Sequence, residues 1–237
     1  MSVEEAKKKA AIQAVDDYVK DKMVVGMGSG STVVYAAQRL AERVKKENLH
    51  VKCVPTSFQS YQLCVEQGLP LTSLDVNPAL DVDIDGADEI DAQLNLIKGG
   101  GGCHVQEKIV AACAKKLVII ADYRKKAQIL GQAWKKGVPV EVIPLGYVPL
   151  MKKLEAMGGK PKLRMAVAKA GPVVSDNGNF IIDVDFGEIR DPRSLDHQIK
   201  MLPGVVETGL FIDMTERAYI GEENGQVTIL DRKIQKR

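Results

Sequence analysis

The most constraining feature of the sequence is the alternation, through its first half, of short apolar runs with amphipathic helical stretches. Met23-Val24-Val25, Val51-Lys52-Cys53-Val54, Leu80–Ile84 and Leu117–Ala121 read as strands. Between them, Ser2 and Glu5 form a capping-box pattern that opens a helix through roughly Tyr18, with Ala11, Val15 and Tyr18 on one face. A second helix starts near Ser31 and buries Val33, Ala37, Leu40 and Val44. A third runs from a Thr56-Ser57 cap through Glu66, and a fourth covers 104–115. Strands joined through helices make βαβ units and a mostly parallel sheet. Such sheets bind ligands at the carboxyl ends of their strands, so the loops that follow strands are where chemistry is to be sought.

The second half keeps a different rhythm. Val138–Ile143 reads as a strand and Tyr147–Met157 as a helix that Gly158-Gly159 stops. Leu163–Ala168 and Phe180–Val184 read as strands around the turn signal Asp176-Asn177-Gly178. Arg193–Met201 reads as a helix and Val205–Ile212 as a further strand. That order, β-α-β-β-α-β, is the ferredoxin-like pattern, and it predicts a small second domain over 135–208. Strands near 217–220 and 226–230 leave the tail after 209 free to rejoin the first domain. A chain of 237 residues has room for one large domain or two modest ones.

Composition removes whole classes of function. Hydrophobic residues make up 45% and charged residues 27%, an ordinary globular balance that argues against disorder. A formal net charge of +2 is too small for a protein that binds nucleic acid mainly by neutralising phosphates, and the aromatic residues, Trp134 among them, offer no stacking platform for single strands. The apolar run Leu117–Ala121 falls far short of the roughly 20 residues that span a bilayer. The start of the chain, MSVEEAKKKA, lacks the apolar stretch of a signal peptide. No nucleic acid, no membrane and a cytoplasmic location are the resulting expectations. Cys53, Cys64, Cys103 and Cys113 form no C-x-x-C pair and His50, His104 and His197 are scattered, so the cysteines read as small buried thiols rather than zinc ligands. The basic runs Lys7-Lys8-Lys9 and Lys45-Lys46 read as solvated helix faces.

Four loops could carry chemistry. Gly26–Thr32 joins a strand to a helix, where backbone N–H groups attract phosphate and Ser29, Ser31 and Thr32 add hydroxyls. Ser31 occupies the place of the third glycine of a dinucleotide fingerprint, and no Gly-Lys-Ser/Thr follows for a triphosphate loop. An ordinary strand–helix turn with a serine cap would share these features. Asp81–Gly86 matches the first half of a calcium loop, but the position that needs a bidentate Glu is Ala92. Asp85-Gly86-Ala87-Asp88-Glu89 then reads either as crowded carboxylates suited to proton transfer at sugar oxygens or as a solvated acidic turn. Lys98-Gly99-Gly100-Gly101-Gly102-Cys103 is the least ordinary segment: four successive glycines bring backbone amides close to a ligand, and Lys98 sets a cation beside developing negative charge. Glu107, near the first turn of the following helix, is a candidate general base, whereas His104 reads as an exposed cap residue. Lys125, just past the Leu117–Asp122 strand, is the remaining phosphate candidate.

Taken together, GMGSGST at 26–32, DGADEID at 85–91 and KGGGGCHVQEK at 98–108 closely resemble the A-type ribose-5-phosphate isomerase family, in particular its eukaryotic branch. The likeness continues through IPLGYVP, LRMAV, DNGNFI and PGVVETGLF, so it spans nearly the whole chain. It implies an α/β protein with a Rossmann-like, mostly parallel catalytic domain over 1–134 and 209–237 and a ferredoxin-like α+β lid over 135–208. It implies interconversion of ribose 5-phosphate and ribulose 5-phosphate through an enediolate, with no metal and no organic cofactor. Glu107 would move the proton between C2 and C1, Asp85 would assist ring opening and proton traffic with Asp88 beside it, and Lys98 would stabilise the oxyanion with the amides of Gly99, Gly100 and Gly101. Ser29, Gly30, Ser31 and Thr32 match the family's ligand loop, Gly86 and Ala87 belong to the same substrate-binding set, and Lys125 matches its later lysine. Bacterial members commonly carry threonine where this chain has Ser29, which keeps the hydroxyl. The resemblance also implies a homodimer or homotetramer with a sugar phosphate as its small-molecule partner. The rival readings are a non-catalytic sugar-phosphate sensor and another enzyme of the same architecture, such as an amino-sugar phosphate deaminase or an acyl-CoA transferase.

Overall fold

The computed structural model describes residues 1–232. In chain order the elements are α1 (Val3–Tyr18), β1 (Val24–Met27), α2 (Val33–Glu47), β2 (Lys52–Pro55), α3 (Phe58–Gln67), β3 (Val82–Asp85), β4 (Glu89–Ile90), β5 (Leu96–Ile97), α4 (His104–Cys113) and β6 (Leu117–Asp122). They continue with β7 (Val138–Val142), α5 (Tyr147–Ala156), β8 (Lys160–Leu163), β9 (Phe180–Asp185), α6 (Pro192–Lys200), β10 (Val205–Thr208), β11 (Leu210–Phe211), β12 (Thr215–Gly221) and β13 (Val227–Asp231). The chain divides into two compact units. The first comprises Met1–Ala87, Gln106–Arg124 and the residues from Asp213 onward; the second comprises Asp88–Val105 and Lys125–Ile212. Residues 233–237, which the sequence reading gave to the catalytic domain, lie outside the described residues.

The first unit is built on a six-stranded sheet in the order β13-β12-β6-β3-β1-β2. Every neighbouring pair is parallel except the edge pair β12–β13. Parallel strands covered on both faces are continuously apolar rather than alternating, and all six residues of β6 are buried. The registers Met27↔Pro55, Met27↔Ile84 and Asp85↔Ile119 bring the carboxyl ends of β1, β2, β3 and β6 to one edge, so the loops after them open at the same side. The core holds the alanine-rich stripe Ala10, Ala11 and Ala14 of α1, with Leu40 of α2 and Tyr219 of β12. The Ser2–Glu5 capping box that opens α1 is formed as expected. Lys7 departs from the expected solvated face: it is only 8% exposed, because its position on α1 turns it toward α2.

The second unit contains two antiparallel sheets, β10-β7-β9-β8 and β11-β5-β4. With α5 and α6, the first of these completes the β-α-β-β-α-β order, and its core gathers Val140, Val142, Leu150, Leu154, Ile182, Val184 and Ile199. Two strand expectations are corrected here. The strand placed at Leu163–Ala168 lies instead at Lys160–Leu163, because it starts directly after Gly158-Gly159; beyond Arg164 the chain leaves the ladder, and Val167 is fully exposed. The strand placed at Val205–Ile212 breaks at Gly209 into β10 and β11, which join different sheets. At that break Gly209 donates its N–H to Pro139 and accepts from Lys98. Among the cysteines, Cys53 and Cys64 are buried as expected, whereas Cys103 and Cys113 are partly exposed. Among the described residues no helix is long and apolar enough to cross a membrane.

Candidate active site

The first unit holds Ser29, Gly30, Ser31, Thr32, Asp85, Gly86, Ala87 and Glu107; the second holds Asp88, Lys98, Gly99, Gly100, Gly101 and Lys125. In the first unit, β1 runs on through Gly28, whose N–H donates to the Ile84 carbonyl at 2.9 Å. Gly28 lies so close to β3 that a Cβ there would collide with the Asp85 carboxylate and Cα. Asp85, completely buried, accepts from the Ser29 N–H at 3.0 Å and the Gly86 N–H at 2.7 Å through Oδ1. One carboxylate therefore ties the β1–α2 loop to the turn after β3.

The Ser29 hydroxyl belongs to a cluster of hydroxyls. Its Oγ lies 2.6 Å from Ser57 Oγ, to which it donates, and 3.0 Å from Thr56 Oγ1. Ser57 in turn caps α3 by accepting from the Ser60 N–H. Gly30 stands at φ +99°, a left-handed conformation that favours glycine, and its N–H donates to Gln59 Oε1. Ser31 Oγ accepts from Lys7 Nζ at 3.0 Å, and Lys7 is also paired with Glu4 at 2.7 Å. Thr32 precedes α2 without a side-chain cap bond; the first-turn N–H groups of Val33 and Tyr35 donate instead to the carbonyls of Gly30 and Thr32. Lys7, Thr56, Ser57 and Gln59 thus join the candidate loop although sequence reasoning did not single them out as site residues. The signal for Thr56 and Ser57 was their place after β2, at the same sheet edge as the other loops. Glu107 lies in the first turn of α4 and is 5% exposed, so the candidate base is a buried carboxylate that complements the helix dipole.

In the second unit, Lys98 follows β5 and is 3% exposed. Its N–H donates to Gly209 at 2.8 Å and its Nζ stands 5.4 Å from the centroid of the Phe211 ring. A turn closed by the Gly102 N–H on the Gly99 carbonyl shapes the glycine loop. Asp88 accepts from the Gly100 N–H at 2.6 Å through Oδ2, so it is a loop-holding group rather than a solvated acid. Two of the glycines are required by close approach: a Cβ on Gly99 would strike the His104 ring, and one on Gly100 would meet the Asp88 carboxylate and Trp134. Gly101 is exposed and open. His104, expected as an exposed cap, is completely buried beneath Gly99, with Nε2 3.4 Å from the Glu207 carbonyl oxygen. Lys125 is half-buried, its Nζ 5.4 Å from the Trp134 ring centroid, and Lys136 stands at 5.2 Å from the same ring.

The acidic run divides its tasks strand residue by strand residue. Asp81 pairs with Lys115 at 2.8 Å and accepts from the Val24 N–H at 3.0 Å, and these two contacts hold its carboxyl below the ordinary value. Asp91 accepts from the Gln93 and Asn95 N–H groups, closing a tight turn. Glu89, completely buried, accepts from the N–H groups of Gly131 and Ala133. Glu89→Ala leaves both donors without that acceptor and is expected to lower the unfolding free energy by about 2–6 kcal/mol, at about 1–3 kcal/mol for each orphaned group. Urea unfolding of the variant checks this; an unchanged midpoint would mean that the loop finds other acceptors.

Residues 52–225 match the family model described as ribose 5-phosphate isomerase A (phosphoriboisomerase A). The chain is 58% identical to the ribose-5-phosphate isomerase of Dictyostelium discoideum, over 95% of this chain and 97% of that one. It is 55% identical to the Homo sapiens ribose-5-phosphate isomerase, over 97% of this chain and 74% of the human protein. A solved D-ribose-5-phosphate isomerase in complex with phospho-erythronic acid superposes with a TM-score of 0.94 at 42% identity, covering 98% of this chain and all of that one. With the glycine loop, the buried carboxylates and the mixed α/β architecture in agreement, the chain belongs to the ribose 5-phosphate isomerase A family.

Proposed function

We propose that the protein interconverts D-ribose 5-phosphate and D-ribulose 5-phosphate, an aldose–ketose isomerisation of the non-oxidative pentose phosphate pathway. The observation that carries this reading is the 50–58% identity to proteins named ribose-5-phosphate isomerase across nearly the whole chain. The site chemistry supports it. Glu107 removes the C2 proton of the open-chain aldose, the electron pair forms the C1–C2 double bond, and negative charge collects on O1. The same carboxyl then returns a proton to C1, while Asp85 and Asp88 serve proton movement between O1 and O2 and the opening of the sugar ring. Lys98 and the amides of Gly99 and Gly101 stabilise the enediolate, a contribution of roughly 3–4 kcal/mol for each well-placed donor, whereas the Gly100 N–H, which the sequence placed in the same set, is taken by Asp88. Ser29, Gly30, Ser31 and Thr32, backed by Lys7, hold the substrate together with Gly86 and Ala87, and Lys125 adds a cation for phosphate.

This chemistry runs on the chain's own groups and calls for no metal or organic cofactor. We further propose that the segment 135–208 serves as a lid over the catalytic domain of 1–134 and 209–237, excluding water from the intermediate. A cytoplasmic homodimer or homotetramer acting on free sugar phosphate, with no nucleic acid or membrane partner, completes the reading. Turnover of ribose 5-phosphate in the presence of EDTA is the direct test. Wild type is expected to sustain it, and Lys98→Met is expected to lower kcat by about 10²–10³-fold, the cost of losing one oxyanion donor. Binding of ribose 5-phosphate without any turnover by wild type would instead identify a sugar-phosphate sensor.

A further inference from the structure

We propose that Arg164 is a positioning residue for the isomerisation: its guanidinium holds the carbonyls of Gly99 and Gly100 and thereby orients and polarises the Gly101 N–H as a donor to the enediolate oxygen. This rests on the isomerase reading given above. Arg164 directly follows β8, and its side chain is 16% exposed. Its Nη1 donates to the Gly99 carbonyl at 3.0 Å and to the Gly100 carbonyl at 3.3 Å. On its other side the guanidinium pairs with both carboxylate oxygens of Asp183 on β9, Nε at 2.8 Å and Nη2 at 2.5 Å. A two-pronged pair of this kind fixes the guanidinium plane as well as its position. The backbone beneath it is equally fixed, because the Arg164 N–H donates to Ile181 and its carbonyl accepts from Val173.

The consequence lies in the peptide groups. The peptide between Gly99 and Gly100 is gripped at both ends by charged side chains, Arg164 on its oxygen and Asp88 on its N–H. The next peptide has its oxygen, that of Gly100, on Arg164. In a trans peptide the N–H and C=O point in opposite directions, so the Gly101 N–H is turned away from the guanidinium. A cation on the carbonyl withdraws electron density and strengthens the N–H of the same peptide as a donor. Gly101 is the exposed, open member of the loop. A glycine turn that already closes with its own bond from Gly102 to Gly99 does not need an ion pair from a different sheet to hold its shape. It does need one to keep a donor preorganised and polarised before the charge develops.

Steady-state kinetics of Arg164→Gln, Arg164→Lys and Asp183→Asn test this. Arg164→Gln is expected to lower kcat for ribose 5-phosphate by about 10–10²-fold, less than the direct removal of an oxyanion donor. Its KM should stay within about twofold, because the contact strengthens only in the transition state. Arg164→Lys is expected to recover only part of kcat, since a point-like ammonium lacks the planar fork that pairs with both Asp183 oxygens while a separate nitrogen holds the two carbonyls. Asp183→Asn should give an intermediate loss. Free guanidinium ion should restore activity to Arg164→Ala. A rise in KM with kcat unchanged would overturn the assignment. The readout independent of turnover is the Gly101 amide proton in a nitrogen-15-labelled sample, expected to move upfield in Arg164→Gln while the remaining spectrum keeps its dispersion. An unmoved Gly101 amide overturns the role of Arg164 whatever the kinetics. Wild type without activity on ribose 5-phosphate overturns the isomerase reading and leaves the amide measurement to decide on Arg164.

Discussion

Glu107→Gln is expected to lower kcat for ribose 5-phosphate by about 10³-fold, within the range of about 10²–10⁴ that a positioned base contributes, with KM little changed. The substitution keeps the size and shape of the side chain at a position that is 5% exposed in the first turn of α4, so the packing that surrounds it has no reason to relax. What changes is the chemistry: an amide cannot take up a carbon-bound proton, and the enediolate has no other carboxylate assigned to make it. Glu107→Asp separates position from basicity. It keeps the carboxylate but withdraws it by one methylene, and a misplacement of about 1 Å is enough to cost about 10²-fold. The expected order of kcat is therefore wild type, then Glu107→Asp, then Glu107→Gln. A glutamine variant that remains folded by circular dichroism and nearly as fast as wild type would remove Glu107 from the mechanism while leaving the family assignment untouched.

The placement of Glu107 also shows how much of the site could be read in advance. A strand, a glycine-rich loop and a helix opening with a carboxylate are local features, and local features fix which elements form and where their ends lie. The parallel sheet follows from apolar runs of strand length separated by helices, and β6 is as continuously buried as its composition requires. Each candidate loop on that sheet follows a strand for the same reason. The ferredoxin-like order was equally legible from the turn signals and periodicity, although β8 starts earlier than its apolar run and Gly209 splits the expected last strand. Both errors have one source: an apolar run continues past the point where long-range pairing stops.

Partners far apart in the sequence were not legible. Nothing local marks Lys7 as the partner of Ser31, because a lysine among lysines on an amphipathic helix reads as solvated until the neighbouring helix is placed. His104 is buried because Gly99, without a Cβ, lets the imidazole pack directly beneath it, a contact set by the loop's conformation rather than by its composition. Arg164 sits beyond the end of an edge strand, where its sequence neighbours give no hint that it grips a loop more than sixty positions earlier, at Gly99 and Gly100. The acidic run illustrates the same limit: its residue types are uniform, yet Asp81 makes an ion pair, Glu89 holds a backbone loop, Asp88 holds Gly100 and Asp85 ties two turns together. Only the partners distinguish these roles.

The role proposed for Asp85 has two parts that mutagenesis can take apart. Its Oδ1 accepts from the Ser29 and Gly86 N–H groups, which is a scaffolding task, and its carboxyl is assigned proton movement at the sugar oxygens, which is a chemical one. An asparagine can perform the first, because its amide oxygen accepts from the same two donors at the same place, but not the second. Asp85→Asn is accordingly expected to lower kcat by about 10³-fold, near the middle of the range for a lost acid–base group, while KM stays close to wild type because the Ser29–Thr32 loop keeps its anchor. Asp85→Ala removes both tasks. It orphans two donors at a completely buried position, which costs about 1–3 kcal/mol for each, and it frees the candidate substrate loop, so KM should rise together with the fall in kcat. Thermal or urea unfolding separates the two variants independently of activity: Asp85→Asn should remain close to wild type and Asp85→Ala should not. An asparagine variant with wild-type kcat would reduce Asp85 to a scaffold and pass the proton-transfer task to Asp88 alone, whereas equal losses of kcat and stability in both variants would mean that the charge itself, rather than the acceptor oxygen, holds the two turns in place.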